Sequence, residues 1–83
     1  MADSPPSGPP VKRSVTIAGH ETSIALEPMF WSALNAAAED AGLPLNALIA
    51  RIDAERLERS PPANLASAIR QWLFARLAYG LDE

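Results

Sequence analysis

The residues of this 83-residue chain with the most reactive side chains are a single histidine and its neighbour. His20 is followed by Glu21, but a helical zinc-protease site needs a second histidine four residues on, and the chain has no other. The absence of cysteine excludes a disulfide framework and thiolate metal ligands. We find no spacing typical of a hydrolase triad, a carboxylate pair or a phosphate-binding loop. The sequence therefore predicts no enzyme activity, no metal site and no cofactor.

The basic side chains are the second group that could do chemistry, by contacting an anionic partner. The chain carries ten acidic and seven basic residues, a net charge of −3. Three of the acids lie in the first ten or last three positions, which leaves seven acids against seven bases between positions 11 and 79. A neutral domain binds a polyanion only where its bases cluster, and the adjacent Lys12 and Arg13 are such a cluster.

The ends of the chain differ in composition from its middle. Four of the first ten residues are proline, so residues 1–10 are predicted to form a disordered, Pro-rich arm. Residues 81–83 form a short tail, and one domain spans 11–80. The first residues lack the apolar segment of a signal peptide, and no apolar run is long enough for a membrane span. We therefore expect a cytoplasmic protein.

Alternating apolar residues predict two short strands, from Lys12 to Ala18 and from Thr22 to Leu26. If Gly19 and His20 form a two-residue loop with a type II′ turn, Val15 lies opposite Ile24. Four apolar side chains then share one face of a hairpin: Val15, Ile17, Ile24 and Leu26. One long strand with a bulge at Gly19 is the alternative.

The first predicted helix begins at Pro28, which suits a first helical position, and stops at Gly42. Phe30 and Trp31 are neighbours and cannot point the same way. One ring should therefore enter the core of the protomer, and the other should enter a dimer seam or contact the third helix. Their helix presents apolar residues at the spacing of one helical face.

Two further helices follow. The second is predicted to start near Pro44 to Asn46 and to end at Ser60-Pro61-Pro62, because a residue before proline avoids helical geometry. The third is predicted from Leu65 to about Tyr79, with Asn64 as its N-cap and Gly80 as its stop.

This layout resembles the ribbon-helix-helix family, which includes the Arc- and MetJ-like repressors. The stretch V-T-I-A-G-H-E-T-S-I-A-L-E-P-M-F-W is similar to a bacterial branch of that family, and the likeness spans Lys12 to Tyr79. It implies an α+β, mostly helical fold, in which an N-terminal β-hairpin or ribbon precedes three helices. Because strand, helix and helix are too few to close a core, we expect an intertwined homodimer. Its shared core would contain Ile24, Leu26, Phe30, Leu34, Leu48, Ile49 and Ile52.

The resemblance implies a small dimeric DNA-binding transcriptional regulator. In the family's DNA binders, strands from two protomers form a ribbon in the major groove, and the second helix presents its N-terminus to a phosphate. The notable outward positions are Ser14, Thr16 and Ala18 on the first strand and Glu21, Ser23 and Ala25 on the second. These positions lack the strong base readers Arg, Lys, Asn and Gln, and Glu21 faces phosphates unfavourably. The candidate DNA-binding residues are Lys12, Arg13, Ser14, Thr16, Ser23, Ala25 and Asn46.

The alternative function is a dimeric protein–protein interaction or adaptor module, including antitoxin-like partner binding. The minimal ribbon-helix-helix fold has no third helix, and the one predicted here is strongly amphipathic. Its apolar face could cover the dimer core or hold a partner protein, as could the sheet face. The candidate partner-binding residues are Leu65, Ile69, Trp72 and Leu73.

Overall fold

The computed structural model describes residues 6–80, which contain a two-stranded antiparallel sheet and three helices. The order is β1 (Val11–Ile17), β2 (His20–Leu26), α1 (Pro28–Ala41), α2 (Leu45–Leu57) and α3 (Leu65–Tyr79). This is the α+β, mostly helical arrangement that the sequence predicts. Residues 6–10 form neither helix nor strand. The rest of the predicted arm, 1–5, and the predicted tail, 81–83, lie outside the described residues.

The two strands form a hairpin, but the predicted register is wrong by two residues. Val15 lies opposite Thr22, rather than opposite Ile24, and the loop is Ala18-Gly19 rather than Gly19-His20. Because strand side chains alternate between faces, a shift of two leaves the same residues on the same face. The predicted apolar face is therefore correct in composition: Val15, Ile24 and Leu26 are buried, and Ile17 is half-buried.

The hairpin loop explains the corrected register. Ala18 and Gly19 both have positive φ, 53° and 82°, which is the pattern of a type I′ turn rather than the predicted type II′. A type I′ turn matches the right-handed twist of the flanking strands. Ala18 is the only described residue other than glycine with a positive φ. A left-handed conformation costs an L-residue with a Cβ about 1 kcal/mol.

Ala18→Asn is therefore expected to raise the free energy of unfolding by about 0.5–1 kcal/mol, because asparagine tolerates this conformation and Asn-Gly is a preferred type I′ pair. Gly19→Ala is the matched control and should lower the free energy of unfolding, since it places a Cβ at φ 82°. Denaturant unfolding followed by circular dichroism measures both. An Ala18→Asn protein that unfolds at lower denaturant than the wild type would show that the turn is not type I′.

The three helices pack on the inner face of the hairpin and complete one apolar core. Among the described residues no polar or charged side chain is buried. α3 contributes Ile69, which is fully buried, and Leu73. The core comprises Val15, Ile24, Leu26, Trp31, Leu34, Ala37, Ala38, Leu48, Ile49, Ile52, Ile69 and Leu73.

The hairpin and α3 close this core within one chain. Six of the seven residues predicted to be shared between protomers are buried here by their own chain; Phe30 alone is half-buried. The six are Ile24, Leu26, Leu34, Leu48, Ile49 and Ile52. Their burial therefore needs no second copy. Intertwining of two protomers stays a prediction, because the structure is of a single protomer.

Local sequence signals fix the helix ends. α1 begins at Pro28 and ends before Gly42, and Asn64 caps α3 by accepting a hydrogen bond from the Ser67 backbone N–H at 2.8 Å. Between α2 and α3, the Arg56 guanidinium donates to Asp53 and to the carbonyl oxygen of Ala63. These contacts fix the loop that carries α3 back onto the core.

Candidate nucleic-acid interface

The outer face of the hairpin consists of the six side chains that point away from the helices. In register they pair as Lys12 with Ala25, Ser14 with Ser23, and Thr16 with Glu21. All are exposed except Ala25, which is half-buried. The outer face thus presents three hydroxyl groups, one base and one acid on two strands, with no bulky side chain.

Arg13 does not share this face with its neighbour Lys12. Its place on β1 is opposite Ile24, on the helix side of the sheet. Its guanidinium carbon lies 5.1 Å from the centre of the Trp31 ring, within the range of a cation–π contact. Of the two basic residues predicted to contact DNA, only Lys12 therefore lies on the outer face.

Trp31 has a role that the sequence does not reveal. Its ring is 2% exposed, and its Nε1–H donates a 2.8 Å hydrogen bond to the backbone carbonyl of Val11. The bond joins α1 to the first residue of β1, twenty positions earlier. With Arg13 stacked on the same ring, Trp31 holds in place the strand that carries Lys12. The prediction that Phe30 and Trp31 point in different directions is confirmed, with Trp31 in the core and Phe30 half-buried.

Asn46 is in the first turn of α2, where it is exposed. Pro44 precedes this helix, and no side chain caps it. An uncapped helix N-terminus directs backbone N–H groups and a partial positive charge outward. Asn46 belongs to α2, so it is not one of the six hairpin side chains that form the outer face.

Ion pairs use three of the seven basic side chains. Arg56 pairs with Asp53, Arg70 with Glu27, and Arg76 with Asp40, at 2.8 to 3.0 Å. Within residues 6–80, Lys12, Arg51 and Arg59 make no ion pair or ring contact. The pKa of the Glu27 carboxyl is lowered, first by a hydrogen bond from its own backbone N–H and then by Arg70.

A protein-family comparison matches residues 10–77 to the ribbon-helix-helix domain. The chain belongs to the ribbon-helix-helix family. No curated protein and no solved structure matches it. Ribbon-helix-helix domains generally form dimers, bind DNA and are typically non-enzymatic.

In this ribbon-helix-helix chain, the residues of α3 predicted to bind a partner lie on the side of the helix that faces the core. Ile69 and Leu73 are buried in the core, and Leu65 and Trp72 are half-buried against it. The chain itself therefore covers the face that the sequence offers to a partner. The periodicity shows which face of α3 is most apolar, but it does not show what covers that face.

The exposed apolar side chains of α3 belong to its last two turns. Phe74, Leu77 and Tyr79 are 62%, 85% and 71% exposed, and the rings of Phe74 and Tyr79 meet edge to face. Phe74 and Leu77, together with residues of α1, line a groove of about 550 Å³, here called the α1/α3 groove. Its lining consists of Met29, Phe30, Ala33, Ala36, Leu73, Phe74, Arg76, Leu77 and Gly80.

Between residues 6 and 80, no group of three or more His, Cys, Asp or Glu side chains could hold a metal ion. In the same part of the chain, none of the helices has the length and apolar character needed to span a membrane.

Proposed function

We propose that this protein is a homodimeric, cytoplasmic, bacterial transcriptional regulator that binds DNA through the outer face of its hairpin. The observation that carries the proposal is the shape of that face: two strands wide, exposed, and without a large side chain. The major groove of B-DNA admits a two-stranded ribbon of this width. Membership of the ribbon-helix-helix family supports the same function.

The outer face offers a specific division of contacts. Lys12 supplies the charge that meets a phosphate, while Ser14, Thr16 and Ser23 donate to or accept from base edges and phosphate oxygens. Ala25 is small enough to contact a thymine methyl group. Because these side chains are short, the backbone of the ribbon can approach the bases closely. Sequence discrimination then depends on hydroxyl groups, which read bases less sharply than a bidentate arginine or asparagine does.

Charge limits the affinity of a single protomer. On the outer face of the hairpin, Lys12 is the one basic side chain of each copy, and the acidic Glu21 lies on the same face. Two copies double the number of phosphate contacts, so a dimer is the unit that binds. We therefore propose two protomers, each already closed around its own core, that carry two ribbons to adjacent parts of one duplex. The exposed, uncapped start of α2 at Asn46 supplies a further phosphate contact.

Fluorescence anisotropy with mixed short duplexes, titrated at several salt concentrations, tests this proposal. We expect Lys12→Ala to weaken binding. It should also reduce the slope of log K against log salt by about 0.9 per protomer, since each lost phosphate contact removes about that much. Glu21→Gln should tighten binding several-fold at low salt, because it removes a repulsive charge from the outer face.

Arg13→Ala is the matched control, with the same change of charge at the adjacent position. Its guanidinium lies on Trp31, so the salt slope should stay close to that of the wild type. Wild-type protein that binds no duplex at low salt would refute DNA binding. Equal losses of slope in Lys12→Ala and Arg13→Ala would refute the outer face as the contact surface.

The second candidate function is an adaptor that binds another protein and has little affinity for DNA. The exposed apolar lining of the α1/α3 groove favours it, because large apolar patches on a folded surface commonly mark protein-binding sites. The anisotropy experiment separates the two functions. A folded protein without DNA affinity whose groove binds a partner would be an adaptor.

A further inference from the structure

We infer that the cleft between α2 and α3 binds an amphipathic helix of another protein, whose charges run acidic, basic, acidic at four-residue intervals. No hairpin residue lines this cleft, so the inference adds a protein partner to the proposed function and does not depend on it. Its test is made with peptides, and its failure is therefore distinguishable from a failure of DNA binding.

The α2/α3 cleft consists of two cavities, of about 380 and 260 Å³, that are both lined by Trp72 of α3. On the α2 side, Leu48 and Arg51 line the larger cavity, and four of the residues from 52 to 59 line the smaller one. The cavities therefore follow one another along α2. From Leu48 to Arg59 the cleft is roughly 16 Å long at the rise of an α-helix, which accommodates about three turns of a partner helix.

The α2 side of the cleft carries three charged side chains at four-residue intervals, Arg51, Glu55 and Arg59. Residues four apart are neighbours on a helix surface, so the first two lie one turn apart on α2, and Arg59 follows just beyond its end. Among residues 6–80, none of these three side chains makes an ion pair or a hydrogen bond. The other two arginines of the cleft, Arg56 and Arg76, are already held in ion pairs. The α2 edge of the cleft therefore presents a positive, a negative and a positive charge to a partner.

A helix with the opposite order of charges complements this edge. Charged residues along the margins of two packed helices select the partner, because opposite charges attract across the interface and like charges repel. Glutamate, lysine and glutamate at four-residue intervals would meet Arg51, Glu55 and Arg59 in turn. The order is the same in a parallel and in an antiparallel helix, so both directions satisfy it.

Glu55 distinguishes this occupant from two others. Nucleic acid carries a negative charge on every phosphate, and Glu55 lies midway between the two free arginines, where it would repel the phosphate backbone. A second copy of α2 laid antiparallel on the first about Glu55 would place glutamate against glutamate and Arg51 against Arg59. A partner with a basic residue between two acids avoids both repulsions.

The centre of the cleft supplies an apolar contact. Trp72 is half-buried, and within residues 6–80 its Nε1–H makes no hydrogen bond, whereas that of Trp31 bonds the Val11 carbonyl. Ala68 and Ala75 line the same cavity before and after Trp72 on α3, and their small side chains let a helix approach closely. Tryptophan and arginine are among the residues that most often dominate the energy of a protein interface. We therefore expect an apolar residue of the partner helix, placed between its charges, to rest on Trp72.

Fluorescence anisotropy of a labelled synthetic helix, titrated with the full chain at several salt concentrations, tests the inference. The probe is an alanine-based peptide with glutamate, lysine and glutamate at four-residue intervals and leucines at the adjoining positions. The control peptide carries lysine, glutamate and lysine instead. The wild type should bind the probe about tenfold more tightly than the control peptide, because three ion pairs replace three repulsions. The difference should shrink at high salt.

Exchange of the three charges should reverse the preference. The triple variant Arg51→Glu/Glu55→Arg/Arg59→Glu should bind the control peptide more tightly than the probe, by a similar factor. Lys12→Glu is the matched control, since it changes the net charge by the same amount outside the cleft, and it should keep the wild-type preference. The exchanged side chains are exposed or half-buried, so the triple variant should fold, which circular dichroism checks. Arg51→Gln/Arg59→Gln is a milder change that should remove most of the preference.

Four results would overturn the inference. They are a wild type that binds neither peptide, a wild type that binds both equally, a folded triple variant that keeps the wild-type preference, and oligonucleotide binding or self-association that the triple variant loses while Lys12→Glu keeps it. The last result would assign the cleft to nucleic acid or to a second copy of the chain.

Discussion

Leu34→Asp is expected to leave the chain unfolded at neutral pH. Leu34 is fully buried in the middle of α1, within a core that contains no polar or charged side chain among the described residues. The substitution removes the apolar contacts of leucine, which for Leu→Ala costs about 2–5 kcal/mol, and adds a buried carboxylate without a partner. A domain of this size has a total stability of only about 5–15 kcal/mol, so little or none would remain.

Far-UV circular dichroism and denaturant unfolding measure the effect. Ser32→Asp is the matched control, since it adds the same charge to the same helix at an exposed position and should remain folded. Leu34→Ala should lower the free energy of unfolding by about 2–5 kcal/mol. A folded, soluble Leu34→Asp protein would contradict the core described here.

The same variants address the predicted intertwining. If the core were shared between protomers, Leu34→Ala would separate and unfold the two chains together, and its unfolding midpoint would depend strongly on protein concentration. An intertwined wild type would show the same dependence. A dimer of closed protomers that is diluted until it dissociates should instead leave a folded monomer whose midpoint no longer depends on concentration, because one chain buries Leu34 on its own. This comparison distinguishes a dimer of protomers that each close their own core from an intertwined dimer that shares one core.

Features fixed by neighbouring residues were predictable from the sequence. Pro28 and Gly42 bound α1, and Asn64 and Gly80 bound α3, because capping and left-handed termini depend on residue type and not on distant contacts. The apolar face of the hairpin was predictable for the same reason, since side chains alternate along a strand whatever they pack against.

The register of the hairpin was not predictable from that alternation. A shift of two residues preserves both faces, so only the turn distinguishes the two registers, and the turn requires Ala18 in a conformation that alanine rarely adopts. The sequence favours glycine at the first loop position, whereas the twist of the strands favours a type I′ turn with Gly19 second.

Long-range contacts decide where the candidate site residues lie, which the sequence alone does not show. Lys12 and Arg13 look equivalent in sequence, but the guanidinium of Arg13 stacks on Trp31 at the inner face of the sheet. Lys12 is therefore the only one of the two on the outer face. Likewise, Ile69 looks available on an amphipathic helix until the fold places it in the core. In both cases a residue far along the chain decides the outcome, and no local pattern encodes it.

Trp31→Ala is expected to lower the free energy of unfolding by about 3–5 kcal/mol and to loosen β1 in the molecules that remain folded. The indole ring is buried, its Nε1–H bonds the Val11 carbonyl at 2.8 Å, and Arg13 stacks on its face. Removing the ring therefore breaks two links between α1 and the strand that carries Lys12, and it also leaves a cavity in the core. Hydrogen exchange should show that the backbone amides of β1 lose protection, while those of α2 stay protected.

Trp31→Phe separates packing from hydrogen bonding. Phenylalanine keeps an apolar ring but cannot donate to Val11, so we expect a loss of about 1–3 kcal/mol from the unsatisfied carbonyl and the smaller ring. A double-mutant cycle of Arg13→Ala with Trp31→Ala should give a coupling of about 0.5–1 kcal/mol, the range of an exposed cation–π pair.

If β1 holds Lys12 against DNA, Trp31→Phe should also weaken DNA binding without changing its salt slope, since Lys12 itself remains. A reduced slope in this variant would mean that Trp31 fixes the ribbon so firmly that without it Lys12 no longer reaches a phosphate.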